Sequence, residues 1–374
     1  MPPFTFYVTL FFGEYFNIGG LLMKKLIQHI FVDGFNGMAF GIFCTYALGT
    51  LIQQFGTLLS KDLGDILSTI GGIAIILTGA GIGMGMAIKF QVQLTIAFPA
   101  AIAGMVGAYS DYIFQSSVLT SENIVKLSGP GDPLGAFIAA LITLELGSLL
   151  SGKTDYDLLI TPVVCTGLGS ASGLLLAPLL DQLMMKIALL FQWGLEQNTV
   201  LMGVIVASLM CICSVLPLST ITLAMLLNLK GLAAGAATIG CCCSMVGFAI
   251  ASYKDNKIPG LFIQGLGTPK VQLSNMIFKP YIILPPLISS GILGAISTGI
   301  FKLTNSPNKA GIGTTGYDGC LGIYSSMVEK LGSSQALLII SLMCFVLPGL
   351  LSYGIAAGLR KVKLLKDGDM KINI

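Results

Sequence analysis

Long apolar runs separated by short polar breaks dominate the chain from Asn36 to Gly358. They fall at 37–57, 65–83, 90–108, 134–150, 158–180, 199–218, 231–250, 281–302 and 335–358. Each approaches the roughly 20 apolar residues that a membrane-spanning helix needs. The run at 134–150 is short enough to be tilted or partial, and Pro217 breaks 199–218 before a further apolar piece to Leu229. Residues 181–197, with Asp181, Lys186, Trp193 and Glu196, read as an amphipathic surface helix. Lys24 to Asp33 reads as a short interfacial helix. Residues 1–22 lack the marks of a signal peptide, and Met23-Lys24-Lys25 is the expected natural start.

One stretch departs from this pattern. Pro259 to Pro286 lies between two apolar runs, yet it holds Gln264, Thr268, Lys270, Gln272, Ser274 and Asn275. Gly265, Gly267 and Pro269 interrupt any regular helix through it. Broken backbone inside a membrane protein is tolerated where protein buries it or where it lines a watery cavity. The stretch is therefore the expected floor of a binding site.

Composition agrees with an all-α polytopic membrane protein. The chain is 54% hydrophobic and 10% charged, with a mean hydropathy of +0.88, against about 25% charged residues in soluble domains. A net charge of +3 implies no nucleic-acid partner. Most of the nine Cys lie in apolar runs, which excludes a disulfide framework. Gly pairs four residues apart, Gly79/Gly83, Gly81/Gly85, Gly169/Gly173 and Gly231/Gly235, predict close helix contacts. Lys24, Lys25 and the cluster Arg360, Lys361, Lys363 and Lys366 place both termini in the cytoplasm. An even number of crossings follows, about ten if 219–229 does not cross on its own and 259–275 spans or dips as one element. The expected domains are an extension and interfacial helix over 1–33, a transmembrane domain over 34–359 and a basic cytoplasmic tail over 360–374.

Four short matches occur in the same order in both halves, beginning at Asn36 and Asn198, Ala103 and Ser244, Gly135 and Gly260, and Ile160 and Leu284. They suggest an inverted repeat, an arrangement that places transporter sites at the repeat interface. The shared composition of Gly- and Ala-rich membrane segments accounts for such matches equally well.

Glu145 lies within an apolar run, where an ionisable side chain faces a cavity or a partner and marks function by default. Lys270 is the expected partner, because aligning Gly135 with Gly260 puts the two in register. Gln264, Thr268, Gln272 and Asn275 then supply neutral hydrogen-bonding groups to a small polar solute. Asp132, before Pro133, is placed to cap a helix and completes the candidate solute-binding set.

Other motifs carry less. Gly147 to Thr154 matches the P-loop pattern and Gly311 to Gly316 matches GxGxxG, but neither has the strand–turn–helix context that aims backbone N–H groups at phosphates. The Gly/Thr loop could touch substrate if it borders a cavity, and Asp318 reads as a loop residue. Cys241, Cys242 and Cys243 are consecutive, so on a helix they point about 100° apart and cannot chelate together. No metal site, cofactor or catalytic constellation is expected, and the chain is not read as an enzyme.

The segments GDPLGAFIAALITLELGSLLSGKTDYDLLITP, LKGLAAGAATIGCCCSMVGFAIAS, QGLGTPKVQLSNMIFKPYIILPP and NKAGIGTTGYDG resemble phosphotransferase-system IIC-like membrane proteins. More narrowly, they resemble the perfringolysin-regulator, or toxin-regulator, type. The resemblance covers Asn36 to Gly358. It implies a bacterial inner-membrane IIC-type fold, a homodimer surrounded by lipid, and transport of a sugar-like solute. It also implies separate phosphotransferase-system proteins as partners, since the chain carries no phosphotransfer domain of its own. The family's sugar site commonly uses a Glu and a His. Here no His falls in a predicted span, since His29 is the only one in the chain, and that departure leaves sugar phosphorylation open. A membrane sensor that binds a small ligand and signals to a cytoplasmic partner is the alternative reading.

Overall fold

The computed structural model describes residues 28–114, 125–153 and 156–372. The proposed Met23 start and residues 24–27 of the predicted interfacial helix lie outside them. The described residues form helices joined by short turns. Among the described residues, six helices are long and apolar enough to cross a membrane: Gln28–Thr57, Pro133–Leu150, Asp157–Leu195, Gly231–Ala251, Pro280–Gly299 and Ser333–Lys361. A seventh crossing arises if the pair Lys61–Ile76 and Thr78–Phe90, bent at Leu77, counts as one span. Leu94–Ala108 and Thr199–Val215 are apolar but shorter.

Several sequence expectations need correcting. Among the described residues, length and composition support six or seven crossings, and the expected ten are not confirmed. Residues 28–33 do not form a separate interfacial helix: a π-helical turn over Gln28–Gly34 leads straight into the first span. The predicted run 65–83 is two helices rather than one. The predicted surface helix at 181–197 belongs to one 39-residue helix, Asp157–Leu195. Its polar residues suggested an interfacial element, but a membrane helix can project into water. At ~1.5 Å per residue it is about 58 Å long, nearly twice the hydrocarbon thickness. Pro162 and Pro178 lie within it and do not end it.

The chain divides into two compact units. The first holds the described residues up to Ile42 and those of 76–178, and the second holds Phe43–Ile75 and the described residues from Leu179 onward. Small residues build both interiors, because helices in lipid gain their association from close packing rather than from hydrophobic burial. In the first unit, Thr78–Phe90 presents Gly79 and Gly83 to the backbone of Leu94–Ala108 at Gly104 and Ala100, and Gly85 to Gly37 of Phe35–Ile42. In the second, Gly231–Ala251 is almost wholly enclosed. Its Gly235, Gly240 and Gly247 abut Leu303, Ala207 and Pro286.

The spacing argument held for Gly79, Gly81, Gly83 and Gly85, all at helix contacts, and for Gly169 and Gly173, which face Thr143 and Ala139. It failed for Gly231, which has a φ of +59° and open space around it; it serves the turn into the helix. Gly83→Leu would drive a side chain into the Ala100 backbone, so detergent extracts should lose most of the monodisperse folded peak. Gly358→Ala is the control, since a Cβ there meets nothing within 4 Å; it should leave the peak intact and raise thermal stability by up to ~1 kcal/mol.

Candidate functional site

The polar stretch of the second unit folds as its Gly and Pro residues require. Helix Tyr253–Phe262 passes into a π-helical turn Ile263–Gly267, a 3-10 turn Pro269–Gln272, a short helix Leu273–Phe278 and a second 3-10 turn Pro280–Ile283. Carbonyls freed by these breaks find side-chain donors, as they must away from water. Thr314 Oγ1 donates to Gly265 O at 2.6 Å, and Thr315 Oγ1 donates to Gly267 O at 3.0 Å. The Gly/Thr loop therefore braces the broken segment. Thr268 caps the first 3-10 turn, its Oγ1 accepting from Lys270 N at 3.3 Å.

Lys270 is buried, and its ammonium donates to the carbonyls of Ser214, Leu216 and Leu218 at 3.1, 2.6 and 2.9 Å. These lie at and just beyond the end of helix Thr199–Val215, where unsatisfied carbonyls and the helix dipole both favour a cation. Lys270 clamps the polar segment to that helix end.

Gln264 and Gln272 are fully buried. Gln264 Nε2 donates to Ser252 Oγ at 2.8 Å, Gln272 Nε2 to Gln264 Oε1 at 2.9 Å, and Asn275 Nδ2 to Gln272 Oε1 at 2.8 Å. The far end of this amide chain meets the C-terminal tail. Gln272 Nε2 donates to Met370 O and Asn275 Nδ2 to Lys371 O, both at 2.9 Å. Asp255 accepts from Gly368 N and Met370 N, while Asn256 holds Met370 O and Ile372 N. Residues expected to form the basic cytoplasmic tail are folded onto the polar segment, with Leu365 and Met370 buried.

Asp369 anchors the tail through Lys279 Nζ at 2.5 Å and Tyr281 Oη at 3.1 Å. Burial alone would raise its carboxyl. Hydrogen bonds from Lys279, the Lys366 N–H and Tyr281, with the Lys279 charge, outweigh burial and hold it below its ordinary value. A carboxylate lowered on folding stabilises at neutral pH and loses that contribution as pH falls below the ordinary carboxylate range and through its lowered folded value. Tail residues 366–372 should therefore be protected from hydrogen exchange at pH 7 and lose protection in acid, after correction for intrinsic rates. Asp369→Asn should expose them at pH 7 already; equal protection in the variant would contradict this anchor.

In the first unit, Asp132 caps helix Pro133–Leu150, its Oδ2 accepting from Gly135 N at 2.8 Å, as its position before Pro133 suggested. Glu145 lies on the same helix. Its Oε1 is 3.1 Å from Nε2 of His29, in the π-helical turn that opens the first span. The His29 ring stacks on Phe90 with centroids 3.9 Å apart, and Phe35 against Phe137 (4.7 Å) fixes the turn beside the Glu145 helix. The contact lacks the geometry of a hydrogen bond, and Oε1 is buried without a donor. Sequence reasoning placed the single His in a short interfacial helix and did not foresee its contact with Glu145. The only sequence signal for it was the rarity of His in so apolar a chain. Glu145 and Lys270 belong to different units, and each has partners within its own.

Gly147–Leu150 of the P-loop-like motif is the C-terminal turn of a helix, which offers carbonyls rather than N–H groups to a phosphate. Among the described residues, Cys242, Cys320 and Cys344 form a group whose sulfurs lie within 4.8 Å of one another. They could hold a soft metal by number and spacing. They belong to one buried apolar cluster with Ile239, Leu293, Ile323 and Met343, where Cys acts as a small apolar side chain. Packing accounts for them.

An ionisable pair beside a first span and a broken polar segment braced by a Gly/Thr loop are features of a solute-handling membrane domain. The family described as Phosphotransferase system, EIIC matches residues 32–372. The chain belongs to that family. No curated protein matches it. An EIIC chain is the multi-pass, membrane-embedded transport component of a bacterial sugar phosphotransferase system. Such components are permeases that work with the other proteins of the system and are generally not catalytic alone. The family match supports the IIC resemblance and leaves its toxin-regulator subtype without support.

Proposed function

We propose that this EIIC chain moves a small, polar, sugar-like solute across the bacterial cell membrane, with Glu145 and His29 contacting the solute. The half-buried carboxylate–imidazole pair among apolar spans carries the reading. Such groups are costly to retain there unless they are used, and Oε1 of Glu145 still lacks a donor that a solute hydroxyl could supply. The pair also supplies the Glu and His that the family resemblance implies. Asp132, Thr268 and Lys270 set the backbone around the polar elements, and Gln264, Gln272 and Asn275 become available to solute only when the tail is displaced. The chain acts as a homodimer in lipid with both termini in the cytoplasm, and separate phosphotransferase-system proteins phosphorylate the solute.

The test is saturable binding of radiolabelled sugars to purified protein in nanodiscs, with uptake by cells that express it. Binding and uptake of at least one sugar are expected. Absence of both, with protein correctly inserted, would overturn the reading. A sensor signalling to a cytoplasmic partner is the second reading, favoured by the docked tail: solute binding that releases the tail without net uptake would select it.

A further inference from the structure

The second unit holds a polar cluster that the roles above leave unused. The chain turns sharply after the Gly/Thr loop. Gly316 has a φ of +53° and Tyr317 a φ of +63°, the latter a left-handed conformation that costs a side-chain-bearing residue of order 1 kcal/mol or more. The turn is over-determined from below: Thr314 and Thr315 tie it to Gly265 and Gly267, and Gly316 packs on Thr50. Asp318, expected in a loop, is instead the first residue of helix Asp318–Leu331. Its Oδ1 takes both nearby donors, Lys309 Nζ at 3.1 Å and Gln54 Nε2 at 3.2 Å. Among the described residues Oδ2 has no hydrogen-bond partner.

The cluster is half-open. The Asp318 and Lys309 side chains are 21% and 33% exposed, and the strained Tyr317, 43% exposed as a residue, lays its ring beside Phe345, centroids 5.8 Å apart. Strain that leaves a side chain exposed does little for packing, and it recurs where a residue is held for a ligand. A carboxylate with one oxygen spent on orientation and one open accepts a hydroxyl. The amide of Gln54 and the ammonium of Lys309 donate to a hydroxyl oxygen. The Tyr317 ring offers an apolar face to C–H groups and a hydroxyl at its edge. Acceptor, donors and aromatic face together match a ring or chain of alternating C–H and O–H groups.

We infer that Gln54, Lys309, Tyr317 and Asp318 form a binding subsite in the second unit for a neutral polyhydroxylated solute. Asp318 Oδ2 accepts from its hydroxyls, Gln54 and Lys309 donate to them, and Tyr317 covers its C–H face. This rests on the reading of the chain as a sugar-transport component and assigns residues beyond the Glu145–His29 pair.

The test is equilibrium binding of radiolabelled D-glucose, D-galactose, D-mannitol and N-acetyl-D-glucosamine to full-length protein in nanodiscs. For whichever probe the wild type binds, Asp318→Asn and Gln54→Leu should each weaken affinity by roughly 10- to 100-fold, the loss of one charge-assisted or buried hydrogen bond. Tyr317→Gly suits the left-handed backbone and removes only the ring. It should weaken binding while leaving the melting temperature unchanged or raised, which separates ligand contact from folding. Wild-type affinity in Asp318→Asn and in Tyr317→Gly would overturn the subsite while leaving the transport reading standing. A wild type that binds none of the probes and supports no uptake would overturn the transport reading and the subsite with it.

Discussion

Glu145→Gln should cut solute uptake by roughly 10- to 100-fold while leaving the amount of protein in the membrane unchanged. The substitution keeps the shape of the side chain and removes only its charge and one acceptor role, so packing of helix Pro133–Leu150 is preserved. What is lost is one carboxyl oxygen able to accept from a solute hydroxyl, replaced by an amide N–H that can only donate. His29→Gln should lower uptake in the same range, and the double variant should fall by less than the product of the two effects. Groups 3.1 Å apart act as a unit, and such pairs are strongly non-additive. Uptake at the wild-type rate in Glu145→Gln would remove the pair from the mechanism. A full product of the two effects would show that the groups act separately.

Lys270→Met should destabilise the protein by about 3 kcal/mol or more, the net of several charge-assisted hydrogen bonds at roughly 1.5–3 kcal/mol each. Methionine retains an apolar stem of similar length, but the carbonyls of Ser214, Leu216 and Leu218 lose their cation in a buried setting. Lower yield and a lower melting temperature in mild detergent are the readouts. Lys270→Arg should rescue only in part, because a planar guanidinium cannot converge on three carbonyls as a compact ammonium does. Thr268→Ala, losing one weak cap, should cost about 1 kcal/mol. A Lys270→Met protein of normal stability that no longer binds solute would reverse the assignment and make Lys270 a solute ligand.

Glu145 and Lys270 show how far sequence reasoning about charge reaches. Glu145 was singled out as a charge among apolar residues and Lys270 as its partner by register; Lys270 is fully compensated, while Glu145 Oε1 lies 3.1 Å from His29 without a hydrogen-bond donor. The kind of partner was not legible. Lys270 takes backbone carbonyls, whose availability depends on where helix Thr199–Val215 ends in space. Glu145 meets a His more than a hundred positions away, in a segment read as a short interfacial helix. The polar stretch was recognised for the right reason, its Gly and Pro residues breaking the helix, but its amides hold the C-terminal tail. Nothing periodic in residues 362–372 signals that docking, because it runs through backbone groups that every sequence possesses.

By itself the sequence determined the class and interior texture of the protein: apolar runs of spanning length require helices in lipid, small residues at four-residue spacing bring them together, and Gly and Pro punctuation breaks the segment at 259–286. These are local properties, carried by composition and spacing within one helix or turn. Only the tertiary structure decided the rest: the bend at Leu77, the continuation of Asp157–Leu195 through its prolines, the meeting of His29 with Glu145, and the convergence of Gln54 and Lys309 on Asp318. Each depends on which distant backbone or side chain lies within about 3 Å, and hydrogen bonds and ion pairs fall off too steeply with distance and angle to be inferred from a one-dimensional pattern.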